Sequence, residues 1–471
     1  MLKPVGIAAI AALTTVGCTV GPDHVTPIPD LPATFSGADA PAFDGEQAVG
    51  EGLWVSLGLE TLERLIVRAQ LQNTTVAQAV ATLNETRALS GLQVYSLFPT
   101  ATINVESERN QQSPADPFSF PGPTVTERFR AGFDVSWEID LFGNLRRQSE
   151  QIRRQVEADT AALAAVRLSV TAEVAQAYFG WLGNARRVAI LNRNLANQQE
   201  NVRILEASLD AGRGTALDVS RARSIERSVA ALLPQAEADV ARSEQRLAVL
   251  TRWSIDELRT ELGTATSMPT LPRMVAVGTP EDWLRRRPDI QAAERRLAAS
   301  TSAIGVEVVQ YFPIVTLLGD FGWNGRSEAV IGDSDAERWR VAPSLSWRIL
   351  DAGRIRQRVK AAEARADGAL AAYNESWLLA LEETENAMNT YRATTLREAA
   401  LSSAVSESQN AARLARLRFD AGADTYLAVL DAERSAIEFE DQLATARTDR
   451  ATALAALYKS LGGDFAVGLN N

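Results

Sequence analysis

The sequence predicts a mainly α-helical protomer with a membrane-type β component, assembled from two copies of one structural unit. Three observations carry this. From Phe129 to Leu141 every second residue is apolar (Phe129, Ala131, Phe133, Val135, Trp137, Ile139, Leu141), with Arg130, Asp134, Ser136, Glu138 and Asp140 between them; that is the period of a two-faced strand. After Gly143 the period changes, and Leu145, Ile152, Val156, Leu163, Val166, Val170 and Val174 recur at helical steps that Val188, Leu191, Leu195, Val202, Leu205 and Leu209 continue to Gly212. No proline interrupts this run, so a helix over 144–211 would be roughly 100 Å long, where an average globular helix has only about 11 to 12 residues. Finally, the stretch recurs 210 positions on: Trp137 as Trp347, Gly143 as Gly353, Asp210-Ala211-Gly212 as Asp420-Ala421-Gly422, Thr215 as Thr425, Leu217 as Leu427 and Leu247 as Leu457. A register held this long marks an internal duplication.

Taken in order, Met1 to Cys18 carries Lys3, an apolar core from Val5 to Val16 and Gly17 before the cysteine. This reads as a secretory signal over 1–17, too short to span a bilayer. Cys18 is the only cysteine among 471 residues, which excludes internal disulfides and argues against thiolate metal sites. Residues 18–58, with Pro22, Pro27, Pro29, Pro32 and Pro41, read as an extended arm.

The first repeat spans 59–251: a helix over 59–97, a hairpin over 100–141, the long helix over 144–211, a tip at 212–215, and a returning helix that Pro234 should bend. A linking segment of mixed structure over 252–287 contains Pro269, Pro272 and Pro280. The second repeat spans 288–461, with a hairpin over 314–350, a long helix over 354–421, a tip at 422–425 and its own returning helix; 462–471 is a tail. In the second hairpin Val315, Leu317, Phe321 and Trp323 alternate with Thr316, Asp320 and Asn324.

Strands of about 10 residues with one apolar and one polar face have the length and dyad pattern of outer-membrane strands, and a soluble sandwich gives the same alternation. The signal segment and the aromatic residues at the strand ends near the helices (Tyr95, Phe98, Trp137, Phe142, Tyr311, Phe312, Trp347) favour the membrane. Four strands cannot close a barrel, and lipid does not tolerate an open edge, so closure requires several chains in a ring.

Composition bounds function. The formal charge of −11, with no block of Lys or Arg, argues against nucleic acid as a partner. The single histidine, His24, lies in the proline-rich arm, so no Ser-His-Asp or Cys-His constellation has its parts. The acids Glu382, Glu383 and Glu385 read as a solvated helix face. No phosphate-binding loop is present, so energy for any transport must come from a partner. No cofactor, metal or enzymatic activity is expected.

Val16-Gly17-Cys18-Thr19 resembles a bacterial lipobox, although Thr15 stands where an aliphatic residue is usual; Cys18 is accordingly the expected lipidation site, and an ordinary signal with a chance cysteine is the alternative. Together with Gly17-Cys18-Thr19-Val20-Gly21-Pro22-Asp23, the run Arg286-Arg287-Pro288-Asp289-Ile290 followed by Ala293-Glu294 and Leu297, the Leu233-Pro234 bend, and Tyr426-Leu427-Ala428-Val429-Leu430-Asp431-Ala432-Glu433-Arg434, nearly the whole chain resembles the TolC/OprM-like outer membrane factors of the NodT-type lipoprotein branch. That resemblance implies a homotrimer with a 12-stranded barrel in the outer membrane, a helical barrel in the periplasm and an equatorial belt at the linking segment. It also implies a passive exit duct for drugs or other small molecules, fed by a periplasmic adaptor and an inner-membrane pump of the resistance-nodulation-division class.

The two turns combine a glycine suited to ending a helix with a threonine suited to capping the next. By resemblance they are the periplasmic tips, and Gly212, Arg213, Gly214, Gly422 and Ala423 are candidate adaptor contacts. Asp218 aligns with a family gate aspartate, and three residues after Thr215 it also sits where a carboxylate favours a helix start. Phe419 and Asp424 align with gate positions that carry Tyr and Arg in better-known members. Asp431 reads either as a lumen acid or as an ordinary surface acid. Two other functions fit: a duct for protein secretion powered by ATP, and a lipid-anchored periplasmic scaffold without a pore.

Overall fold

The computed structural model describes residues 19–29, 31–44, 57–113, 115, 125–264, 268–272 and 274–463. Cys18 and the segment expected over 1–17 lie outside them. In chain order the elements are β1 (Phe43–Asp44), α1 (Glu60–Gln72), α2 (Thr74–Tyr95), β2 (Thr100–Gln111), β3 (Val125–Ile139), α3 (Asn144–Asp210), α4 (Ala216–Thr251), α5 (Ile255–Leu262), β4 (Val275–Ala276), α6 (Pro280–Arg286), α7 (Pro288–Val309), β5 (Ile314–Gly325), β6 (Glu337–Ser346), α8 (Ala352–Asp420) and α9 (Tyr426–Ser460). The chain divides into two compact units, 1–28, 82–160 and 292–373 in one, 29–81, 161–291 and 374–471 in the other.

The first unit holds one antiparallel sheet in the order β2-β3-β5-β6. Each repeat supplies a hairpin, and β3 pairs with β5 from Phe129↔Gly325 to Ile139↔Val315. The alternation of the sequence becomes two faces. One carries Ile103, Val105, Phe133, Trp339, Val341 and Leu345, all exposed. The other carries ion pairs: Arg130 with Glu106 at 3.7 Å, Arg128 with Glu108 at 3.6 Å, and Asp320 with both Arg338 and Arg340. A soluble sandwich would bury the apolar face under a second sheet; no described element covers it, and an exposed apolar band of this extent marks an interaction surface. The edges, β2 and β6, pair with no other described strand.

At the helix end of the sheet, the Trp137 indole donates to the Leu97 carbonyl at 3.0 Å and the Trp347 indole to that of Tyr311 at 3.0 Å. Phe142 stacks on Phe312 at 4.8 Å. Such rings, apolar in body and hydrogen-bonded at the tip, suit a membrane interface. No described helix is long and apolar enough to cross a membrane.

The N-terminal arm is fixed beside them. Arg147, buried in the first turn of α3, donates to the carbonyls of Val20 and Gly21, each at 3.0 Å, and pairs with Asp23 at 2.9 Å. A Cβ on Gly21 would lie 2.5 Å from the Gly305 Cα, so the arm passes where only glycine fits. His24 bonds Glu294 at 2.7 Å.

The helix expected over 59–97 is corrected to two helices, α1 in the second unit and α2, because Asn73 leaves the helical region (φ −64, ψ 134). Its side-chain oxygen accepts from the Thr75 amide at 2.8 Å, and its amide group donates to the Leu250 carbonyl at 3.1 Å. Leu62, Leu65 and Ile66 of α1 are fully buried, each contributing about 1.5–3 kcal/mol. The second repeat breaks at the matching place: Arg287 stands between α6 and α7 and donates to the Ser460 carbonyl at 2.8 Å. Around it Trp283 donates to the same carbonyl at 2.6 Å and meets Phe35 edge-on at 5.9 Å. Pro234 lies inside α4, which runs on to Thr251.

The acids at 382–385 are also corrected. Glu383 pairs with Arg287 at 2.7 Å and Lys459 at 3.0 Å, and Glu385 accepts from the Ser36 hydroxyl at 2.6 Å; only Glu382 is exposed. The linking segment is more regular than its prolines suggest: Ser254 and Glu257 form a capping box for α5, and β4 pairs in parallel with β1 of the arm.

Candidate functional site

Both turns end their long helices the same way. Gly212 adopts φ 67; its amide donates to the Leu209 carbonyl at 2.9 Å and the Arg213 amide to that of Ser208 at 2.9 Å. Gly422 adopts φ 70; its amide donates to the Phe419 carbonyl at 2.8 Å and the Ala423 amide to that of Arg418 at 2.9 Å. Each is a Schellman closure whose left-handed residue is glycine. Gly212, Arg213, Gly422 and Ala423 are exposed and Gly214 is half-buried.

The restarts differ. The Thr215 hydroxyl accepts from the Asp218 amide at 3.2 Å and donates to the Asp218 carboxylate at 2.6 Å. The expected cap at Thr425 is corrected: its side chain makes no cap bond. There the Asp424 carboxylate accepts from the Thr425 amide at 2.8 Å and from the Arg418 guanidinium at 3.2 Å. The reason is position N3, where Asp218 is matched by Ala428 and no acid is present to orient the hydroxyl. Thr215→Ala is therefore expected to destabilise the start of α4 by about 1 kcal/mol, and Thr425→Ala to leave α9 nearly unchanged. Amide hydrogen exchange over 216–219 and 426–429 reads the difference.

Phe419, half-buried, packs edge-on against Tyr426 at 4.9 Å within an apolar cluster that joins both turns through Val202, Leu205, Val219, Ala222, Val429 and Leu430. The structure thus brings Phe419 into a shared core. It brings none of Asp218, Asp424 and Asp431 together: Asp218 and Asp424 bond beside their own turns, and Asp431, on α9, pairs with Arg434 at 2.8 Å, both exposed. His24 lies elsewhere, and no group of three metal-ligating side chains occurs among the described residues.

The sequence reading missed a polar ladder above this core. Asn194, Gln198 and Asn201 are buried on α3, on the seam between Leu191 and Leu205. Gln198 donates to Glu433 at 3.2 Å, and Glu440, one heptad further along α9, pairs with Arg193 at 3.0 Å and accepts from Asn194 at 3.4 Å. Asn201 also accepts from the Tyr426 hydroxyl at 2.8 Å, and Arg416 reaches both at 3.3 and 3.0 Å. Burial pushes the Tyr426 hydroxyl pKa up, so it stays a donor at neutral pH. Three amides at seam spacing were the available signal. Such groups fix helix register because no shifted alignment pairs them.

A twice-repeated strand–helix–turn–helix unit, with one open sheet apolar on one face and charged on the other, defines the protomer class of channels that pair a membrane β-barrel with long helices. The chain belongs to the outer membrane efflux protein family, whose model matches residues 65–251 and again 279–463. It is similar to outer membrane protein OprJ of Pseudomonas aeruginosa, 30% identical and covering 98% of this chain and 97% of OprJ. It is likewise similar to the toluene efflux pump outer membrane protein TtgI of Pseudomonas putida, at 28% over the full length of both. The solved outer-membrane channel OprN superposes with a TM-score of 0.88 at 36% identity, covering 95% of this chain and 100% of that one. The fold is TolC-like, and the chain is an outer-membrane efflux duct.

Proposed function

We propose that three copies of this chain close a 12-stranded barrel and form a passive exit duct, which receives small organic molecules from a periplasmic adaptor and an inner-membrane pump of the resistance-nodulation-division class. The observation that carries the reading is the four-stranded sheet: its apolar face is exposed, its charged face suits a water-filled lumen, and its edges β2 and β6 await partners. The name of TtgI supports small organic cargo. Acylation of Cys18 would add a membrane tether. The exposed turn residues Gly212, Arg213, Gly422 and Ala423, with Gly214, offer the adaptor contact.

The gate reading assigns Asp218, Asp424 and Asp431 to a periplasmic constriction, with Phe419 anchoring its wall. Charges whose bonds are all local, to their own turn or to the next turn of helix, can pair with another copy in a closed state. Single-channel conductance in planar bilayers tests this. The unmodified trimer is expected to conduct weakly, and Asp218→Asn or Asp424→Ala to raise open probability by up to about fivefold, the weight of one exposed ion pair. Asp218→Asn keeps an acceptor for the Thr215 hydroxyl, so a change there reports charge and not capping. Intact trimers that never conduct in any form would overturn the duct, and open probabilities equal to the unmodified protein's would overturn the gate.

A further inference from the structure

The two strand-to-helix junctions have the same ancestry and different surfaces. In the first repeat the cations are used internally: Arg146 holds Asp140 at 3.1 Å and Arg147 holds the arm. In the second, five cations lie between Trp347 and Lys360, namely Arg348, Arg354, Arg356, Arg358 and Lys360, with one carboxylate, Asp351. Arg354 engages that carboxylate at 3.3 Å. The other four are exposed and have no partner among the described residues. Directly before them Ile349 and Leu350 are 64% and 100% exposed, beside the half-exposed ring of Trp347.

We propose that this junction binds the headgroups of anionic phospholipids in the periplasmic leaflet, with Ile349 and Leu350 entering the acyl boundary and Arg356 and Lys360, which are four residues apart and share one face of α8, meeting the phosphates. The inference rests on the sheet being the lipid-embedded part of the duct. Trp347, tied at the strand end, marks the interfacial level, and residues 352–360 descend only about 13 Å from it. Snorkelling side chains bring the charged heads back up toward the phosphates, to within about one Debye length, roughly 8–10 Å, of the membrane surface. Charge complementarity favours lipid over a second copy of the chain. The opposite open edge answers with no acid cluster: α2 carries only Glu85 and Arg87, and the β2 acids Glu106 and Glu108 are engaged by Arg130 and Arg128.

The test uses the full-length trimer in nanodiscs of mixed phosphatidylcholine and phosphatidylglycerol, extracted into detergent, with retained lipids counted by native mass spectrometry. Retained phosphatidylglycerol is expected to be enriched over the bulk by at least about fivefold, the factor one cation supplies at about 1 kcal/mol. Arg356→Gln and Lys360→Gln together should abolish the enrichment, while Arg358→Gln, on the other face of α8, should keep it. A double variant that keeps the enrichment, or an unmodified trimer that shows none, overturns the proposal. A double variant that no longer trimerises assigns these cations to the subunit interface and overturns it equally. Absence of channel formation by the unmodified protein would instead sink the duct reading, so the two failures are separable.

Discussion

Replacing Arg287 with methionine is expected to lower stability by about 2–3 kcal/mol, because it removes a buried cation and leaves its partners behind. The Arg287 guanidinium, 6% exposed, pairs with Asp289 at 2.6 Å and Glu383 at 2.7 Å and donates to the Ser460 carbonyl at the end of α9. Burial alone would raise both carboxyls, but the hydrogen bonds and charge of Arg287 outweigh it and hold both below their ordinary pKa values. Lys459 helps hold Glu383 down. Groups depressed in the folded state stabilise above their unfolded pKa values, about 3.9 for Asp and 4.3 for Glu, and lose that contribution as pH falls through their lower folded values. In the variant Asp289 loses its depressing charge and its burial dominates, while Glu383 keeps Lys459, so Asp289 above all costs most at neutral pH and is relieved by protonation on acidification. The difference in thermal midpoint between the two proteins should therefore be largest near pH 7 and shrink as pH drops through about 4. A difference independent of pH would mean that Arg287 contributes through packing on Trp283, where it lies 5.4 Å over the ring, and not through charge.

Much of this architecture is legible in the sequence because its periods are long and uninterrupted. The alternation from Phe129 to Ile139 survives because lipid on one side and water on the other select residues independently at every second position. The long helices are legible because no proline breaks their seam. The break at Asn73 is not. Its counterpart in the second repeat is marked by Pro288, whereas the first repeat has Thr74 at that position and achieves the same interruption through the Asn73 side chain bonding the amide of Thr75. The apolar helical period runs through Asn73 without a break, so the period alone hides an N-cap that the residue type favours. The candidate site divides in the same way. The glycine turns follow from Gly212 and Gly422, which local backbone geometry requires. The absent cap at Thr425 depends on Ala428 three residues away, and comparing it with Asp218 would have revealed it. The ladder of Asn194, Gln198 and Asn201 was written on the helix seam, but its partners Glu433 and Glu440 lie 235 and 246 positions away from the residues they hold, and no local pattern connects them.

Gly322→Ala is expected to prevent correct assembly of the sheet, with a cost near the upper end of overpacking, about 3 kcal/mol. Gly132 and Gly322 face each other in register on the charged side of the sheet, at the β3–β5 seam that joins the two repeats. A Cβ on Gly322 would lie 2.3 Å from the Ala131 carbonyl oxygen, and one on Gly132 would lie 2.4 Å from that of Phe321. Both obstacles are backbone, so no rotamer change relieves them, and the strands must separate where the ladder holds the halves together. Glycine inside a strand marks such close approach. The control lies three residues away: a Cβ on Gly319 meets nothing nearer than 3.8 Å, so Gly319→Ala should assemble normally. The recovery of folded trimer from the membrane fraction, judged by its resistance to dissociation in unheated detergent gels, distinguishes the two. Because separating the strands for one methyl also makes room for the other, Gly132→Ala added to Gly322→Ala should cost less than the sum of the single changes. Strict additivity would mean that each site relaxes independently and that the close approach of β3 and β5 is not shared between them. Full recovery of trimer with Gly322→Ala alone would show that the seam tolerates separation and that the pairing of the two repeats depends on the rest of the ladder.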